Sequence, residues 1–172
     1  MQEQVKDWSV KFQQLVNTKP VIPPLEIRKL RARLILEEAL ETISGLGFAI
    51  DLENNSVFDS IKNTKEGQYL FAPDIEQIVD GIADSIFVQL GTAIACGIDI
   101  EPVWDEVVRS NNSKLWTPNE FINQPDNYTA IAVKSGTSTD KILLVTDTNG
   151  KAIKSPSYSP ANIAPLIAAQ QQ

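Results

Sequence analysis

The sequence predicts an all-α core, a four- to five-helix bundle, followed by a small C-terminal β-hairpin extension. Three observations carry that expectation. Apolar residues recur at helical spacing through most of the first 115 positions, prolines and glycines punctuate those stretches, and short β-branched runs follow Trp116. The chain has 172 residues, 42% of them apolar, which suits one compact domain with a sizeable core, or a domain plus an extension. The expected organisation is a helical domain over 1–116 and an extension over 117–172 packed on the same domain.

Between Gln4 and Asn17, the apolar residues Val5, Trp8, Phe12, Leu15 and Val16 fit an amphipathic helix that stops before Pro20. The run KPVIPP is an extended connector, because proline disfavours helix in the residue before it. A long helix follows from about Leu25 to Ser44, with Gly45 and Gly47 marking its end. Residues 48–73 read as a loop with a short helix near Val57–Ile61. Asp74 offers an N-cap, with Gln77 as its capping-box partner, to a helix that reaches Ala95 or Cys96 and ends at Gly97. A further helix spans about Glu101 to Lys114, with Pro102 in its first turn. Beyond Trp116, TAIAV and KILLVT predict a hairpin or meander, with the Asn-Gly pair of DTNGK leading into KAIK. Ser159 and Pro160 resemble the N-cap and first residue of a short terminal helix.

Composition removes several kinds of chemistry. There is no histidine, so imidazole-based triads, His-rich zinc sites and Glu-x-x-His di-iron bundles are excluded. The single cysteine, Cys96, cannot form an internal disulfide or, within one chain, a thiolate metal site, and its apolar surroundings predict burial. A net charge of −7 argues against general binding to nucleic acid. No uninterrupted apolar run of about 18 residues is present, and the polar N-terminus does not read as a signal peptide. A cytoplasmic protein without nucleic-acid or membrane partners is expected.

What is left for an enzyme is the chemistry of carboxylates, amides, lysines, hydroxyls and hard metal ions, and helical phase shows where the carboxylates lie. Ile27, Leu30 and Leu34 share one face of the second helix; Glu38 and Glu41 continue that stripe, with Glu37 at its edge. Leu36, Leu40 and Ile43 lie opposite, so this helix is apolar nearly all round and is expected to be buried. Asp80 and Asp84, one turn apart, share a face with Phe87, Val88, Gly91 and Ala95. Acid pairs at helical spacing are mostly solvated surfaces. Two pairs in phase with apolar stripes are different, because an unpaired buried carboxylate costs several kcal/mol. Divalent cations with oxygen ligands relieve that cost, and Mg²⁺ is the usual ion when phosphates share the site. In the helix over 101–114, Asn111 falls on the apolar stripe of Trp104, Val107, Val108 and Leu115, with Lys114 at its margin. These two are either an ordinary capping amide and a solvated lysine, or groups that hold phosphate and orient base.

The segments LILEEALE, DGIADSIFVQLGTA and GIDIEPVWDEVVRSNNSK together resemble the MazG-like all-α nucleoside triphosphate pyrophosphohydrolases, a superfamily that includes dimeric dUTPases and phosphoribosyl-ATP pyrophosphohydrolase. The resemblance covers about residues 25–115, and GKAIKSPSYSPANI is similar to the tail of some bacterial and phage members. It implies metal ligation by Glu38, Glu41 and Asp84. Where the superfamily usually carries a glutamate three residues before that aspartate, this chain has Gly81, and Asp80 is the substitute. The implied reaction converts a (d)NTP to (d)NMP and pyrophosphate, with Mg²⁺ (or Mn²⁺ in its place) drawing charge from the triphosphate and activating water, and Glu37 or Glu38 accepting the proton. Lys114, with Arg109 and Lys154, would neutralise phosphate oxygens. Lys154 and Tyr158 either close over the nucleotide or are surface and packing residues.

Other classes stay open at this point: a specialised dUTPase or dCTPase, a non-enzymatic metal-binding helical bundle, or a helical interaction partner. Because the second helix is apolar on opposite faces and Trp104, Val107 and Val108 present another stripe, a homodimer or higher homo-oligomer is expected, with each site near the subunit boundary. The resemblance implies the same.

Overall fold

A computed structural model describes residues 1–48, 72–122, 129–133, 142–148 and 150–172. In chain order the elements are α1 (Gln2–Lys11), α2 (Leu25–Gly45), α3 (Ile75–Ala95), α4 (Glu101–Asn112), α5 (Pro118–Phe121), β1 (Thr129–Val133), β2 (Ile142–Thr146) and α6 (Ala164–Ala169). The all-α core with a C-terminal hairpin is therefore present. The short helix expected near Val57–Ile61 lies outside the described residues.

The chain forms two compact units, Met1–Ile100 with Gln171, and Glu101–Gln170 with Gln172. The division expected after Trp116 differs from this one. Hydrogen bonds from Arg109, Ser113 and Lys114 to residues 155–160 gather α4 with the C-terminal segment.

In the first unit, α2 and α3 make the main helix pair, and three glycines define its register. A Cβ at Gly45 would lie 3.1 Å from Gln77, one at Gly81 would lie 2.6 Å from Thr42 Oγ1, and one at Gly91 would lie 2.8 Å from Arg31 Nη1. As the number falls along α2 it rises along α3, so the two helices are antiparallel and approach closely. The absence of side chains at these positions is what permits that approach. Arg31 is 7% exposed; its Nη2 donates to Gln14 Oε1 at 3.3 Å, while Nε has no hydrogen-bond partner. Across α3, Trp8 of α1 stacks on Phe12 (4.4 Å) and meets Phe87 edge-on (5.1 Å).

Helix ends follow local chemistry, with some departures from expectation. Asp74 caps α3 by accepting from Glu76 N (2.9 Å) and Gln77 N (3.4 Å). The reciprocal half of the expected capping box is replaced, because Asp74 N donates to Gly45 O at 2.9 Å. The first helix ends at Lys11, well before Asn17: Gln13 takes φ +54° and Gln14 N donates back to Ser9 O at 2.8 Å, closing a Schellman-type turn. At the end of α3, Gly97 has φ +69° and Ile98 N donates to Ala93 O at 2.9 Å.

Burial also departs from expectation. Within one chain α2 is not enclosed: Arg31 and Gly45 are its buried residues, and Leu36 is exposed. Cys96 is half-buried. Helix α3 is long and apolar enough to cross a membrane by length and composition, although it carries Asp80 and Asp84. Its buried residues are Gly81, Val88, Gly91, Ile94 and Ala95, while Ile75, Val79, Ile82 and Ile86 are exposed.

In the second unit, α4 buries Val103 and Ser110 rather than the expected stripe, and Trp104 is 64% exposed. Strands β1 and β2 are antiparallel, with Thr129 opposite Thr146 and Val133 opposite Ile142. Trp116, 3% exposed, bridges to Leu143 and donates its indole N–H to Ile153 O at 2.9 Å. Helix α5 starts with a complete capping box between Thr117 and Glu120, with Pro118 in the first turn. The terminal helix begins at Ala164 rather than Pro160, because Ser159 bonds through its N–H and carbonyl to Ser113 instead of capping a helix.

A close approach at Gly97 gives a test. A Cβ there would collide with the Lys19 backbone, whereas Gly150, at φ +78°, has nothing within 4 Å. Left-handed backbone alone costs an L-residue about 1–2 kcal/mol. Gly150→Ala should lose roughly that much in urea unfolding, and Gly97→Ala clearly more; equal losses would contradict the contact.

Candidate active site

The α2–α3 register brings Glu38 opposite Asp84. Thr42 lies against Gly81 and Arg31 against Gly91, so the intervening Glu38 falls opposite the turn of α3 that contains Asp84. Glu38 is half-buried, and its Oε2 is buried with no hydrogen-bond partner among the described residues. Burial raises its carboxyl above the ordinary value, and the charges of Asp84, Glu41, Glu37 and Asp80, in that order, raise it further. All four remaining candidate acids therefore act on Glu38, and each of them is exposed.

Gly81 has a physical reason. Any side chain there would meet Thr42, at 2.6 Å from Oγ1 and 3.0 Å from Cα, so the seam has no room for a glutamate. Asp80, one position earlier, instead lines a cavity of about 230 Å³ with Glu41, Ser44, Gln77 and Gly81. Glu37 lines a separate recess of about 420 Å³ with Arg33, Leu36 and Leu40. Thus Glu38 sits in the seam, Glu41 and Asp80 share a cavity beside it, and Glu37 faces a recess on α2.

The donor set suits a hard divalent cation. Four carboxylates raise the pKa of Glu38, none of the five has an ion pair among the described residues, and one buried oxygen of Glu38 has no hydrogen-bond partner among them. Among the described residues, no three of these side chains are already gathered tightly enough to ligate one ion. Ligation by Glu38, Glu41, Asp80 and Asp84 would require their side chains to converge.

The remaining candidates belong to the second unit. Lys114 Nζ donates to Asn111 Oδ1 at 2.7 Å, one turn away, and Lys154 Nζ lies 4.4 Å from the centre of the Tyr158 ring. Ser155 N donates to Lys114 O at 3.2 Å, which places Lys154 next to the end of α4. Arg109 is already engaged. It forms a two-pronged pair with Glu106 (2.7 and 2.9 Å) and donates to Pro160 O at 3.2 Å. Glu106 also accepts from Asn162 N at 2.7 Å, and these bonds hold its carboxyl at about 2. Sequence reasoning did not single out Glu106, although its three-residue step to Arg109 was a readable signal.

No curated protein matches the chain. A family comparison matches residues 5–111, more than half of the 172, to phosphoribosyl-ATP pyrophosphohydrolase. That span contains all five acids, whereas Lys114, Lys154 and Tyr158 lie beyond it. With a carboxylate-lined helix pair and this match together, the chain belongs to the phosphoribosyl-ATP pyrophosphohydrolase family, within the MazG-like pyrophosphohydrolase superfamily.

Proposed function

We propose that the protein hydrolyses a nucleoside or deoxynucleoside triphosphate to the monophosphate and pyrophosphate with the help of Mg²⁺ or Mn²⁺. The observation that carries this reading is the unsatisfied Glu38 carboxylate among four other acids in a chain whose family removes pyrophosphate. Glu38, Glu41, Asp80 and Asp84 would hold the cation. When bound, such a cation neutralises the acids, polarises the phosphoryl oxygens and lowers the pKa of water. Glu37 or Glu38 would accept the proton of the attacking water. Lys114 and Lys154, with Arg109, supply positive charge for phosphate oxygens, Asn111 orients the nucleotide, and Tyr158 packs beside it. The family description supports a second reading in which phosphoribosyl-ATP is the substrate. A dUTPase or dCTPase is a narrower form of the first.

A substrate panel with product analysis separates these readings. Release of pyrophosphate from at least one (d)NTP is expected, and Glu38→Gln should lower kcat by at least ~10²-fold, the lower end for loss of a proton acceptor. Turnover of phosphoribosyl-ATP alone would favour the second reading. Orthophosphate as the sole direct product would defeat both.

The same variant has a second expected outcome, in stability. A carboxyl whose pKa is raised by folding stabilises the fold while protonated; that contribution is complete below its unfolded value and is lost as pH rises through the folded value. Above the folded value, ionised Glu38 therefore destabilises the metal-free protein, and Glu38→Gln should raise its Tm, most at high pH. An unchanged or lower Tm would show that the seam does not strain this carboxylate.

We also infer a homodimer through α3. Ile75, Val79, Ile82 and Ile86 are exposed and recur at steps of four, three and four residues, the seam spacing of paired helices. A second copy of α3 carries the same spacing and can mesh with it about a two-fold axis. An obligate interface of this kind usually buries more than ~2,000 Å². Light scattering should give twice the 19.0 kDa chain mass, and Ile82→Glu should shift it toward monomer. A wild-type monomer at low micromolar concentration would contradict the assignment.

A further inference from the structure

Residues 153–163 form no regular helix or strand, so their backbone polar groups find partners outside such elements, in main chain and side chains alike. Most of those partners come from one short stretch at the end of α4. Ser155 Oγ donates to Ser113 O at 2.8 Å, and Ser155 N donates to Lys114 O at 3.2 Å. Ser159 N donates to Ser113 Oγ at 3.0 Å, and Ser159 O lies 3.2 Å from the same hydroxyl. One turn back along the helix, Arg109 donates to Pro160 O at 3.2 Å, while Asn162 N donates to Glu106 Oε1 at 2.7 Å. The two-pronged Glu106–Arg109 pair fixes both side chains as one planar unit facing the segment.

What this clasp holds in place is cationic. Lys154, immediately before Ser155, stands over the Tyr158 ring at 4.4 Å, and Lys114, whose carbonyl accepts from Ser155, is steadied by Asn111 at 2.7 Å. In a chain of net charge −7, two lysines have thus been brought to one backbone junction and their side chains braced. A flexible ammonium loses rotamer freedom when it binds phosphate; bracing it beforehand lowers that cost.

We propose that Glu106 and Ser113 are positioning residues, clasping segment 155–162 to the end of α4 so that Lys154 and Tyr158 stand with Lys114 and Asn111 as one polyphosphate-binding patch. This rests on the substrate class proposed above and extends beyond the span matched to the family, which ends at residue 111. Neither residue touches the substrate. Each acts through the lysines, so its loss weakens binding more than it slows bond cleavage.

The test uses the full-length chain with Glu106→Ala, Ser113→Ala and Lys154→Ala, the last being an exposed side chain whose removal leaves the clasp intact. Three readouts are taken: hydrogen exchange at the Ser155, Ser159 and Asn162 amides, KM and kcat with the nucleotide turned over, and calorimetric affinity for tripolyphosphate with Mg²⁺. Glu106→Ala and Ser113→Ala should speed exchange at the amides that they hold. All three variants should raise KM and weaken tripolyphosphate binding by about tenfold, a loss of about 1.4 kcal/mol, with kcat changed much less. Faster exchange with unchanged KM and tripolyphosphate affinity would overturn the proposal, as would unchanged exchange in both clasp variants. Absence of tripolyphosphate binding by the wild type would overturn it too. If the wild type binds tripolyphosphate in the expected pattern yet cleaves no (d)NTP, the hydrolytic reading fails while the positioning role stands.

Discussion

A carboxylate held in a helix seam without a partner is the constraint around which the first unit is organised. Gly45, Gly81 and Gly91 let α2 and α3 approach until side chains at those positions would collide, and Glu38 lies within the seam that this approach creates. A carboxylate oxygen buried without a partner is costly, and four neighbouring acids add to the cost. Packing could have been satisfied with leucine at 38. Keeping a charge there makes sense when something positive is meant to share the site.

The second unit answers a different problem. Its hairpin and the Trp116 indole form a small apolar centre, while the segment after Ile153 has no ladder of its own and is held by Glu106, Arg109 and Ser113. Acids dominate the α2–α3 seam, and the braced lysines belong to the C-terminal unit. On α3, Ile75 at 70% exposure and Val79, Ile82 and Ile86 form an exposed apolar row among the described residues.

Much of this was legible from the residues. Helix α2 runs from Leu25 as its periodicity indicates, Asp74 caps α3, and TAIAV pairs with ILLVT in an antiparallel hairpin. Phase alone puts Glu38 with Glu41 on one face of α2 and Asp80 with Asp84 on one face of α3, because a helix turns side chains by a constant angle. Tertiary partners were not legible. Gln13 adopts a left-handed conformation that composition does not announce, Ser159 is drawn to Ser113 across the fold, and Arg31 is buried against Gly91 although an arginine in an amphipathic stretch reads as exposed. The stripe of Trp104 and Val108 reads as a core face yet is exposed in the chain, since periodicity shows which residues share a face and not what covers it. Thr117-Pro-Asn-Glu120 did carry a readable capping box, lost beside stronger signals.

The central claim is that Glu38 and the acids beside it at the α2–α3 seam serve to bind a divalent cation. Titration of the metal-free protein with Mn²⁺, followed by electron paramagnetic resonance, measures this directly and independently of any substrate. The account predicts saturable binding at the seam, competed by Mg²⁺, weakened by Glu41→Gln and abolished by Glu38→Gln. Binding unchanged in both variants, or no saturable binding by the wild type, would contradict it.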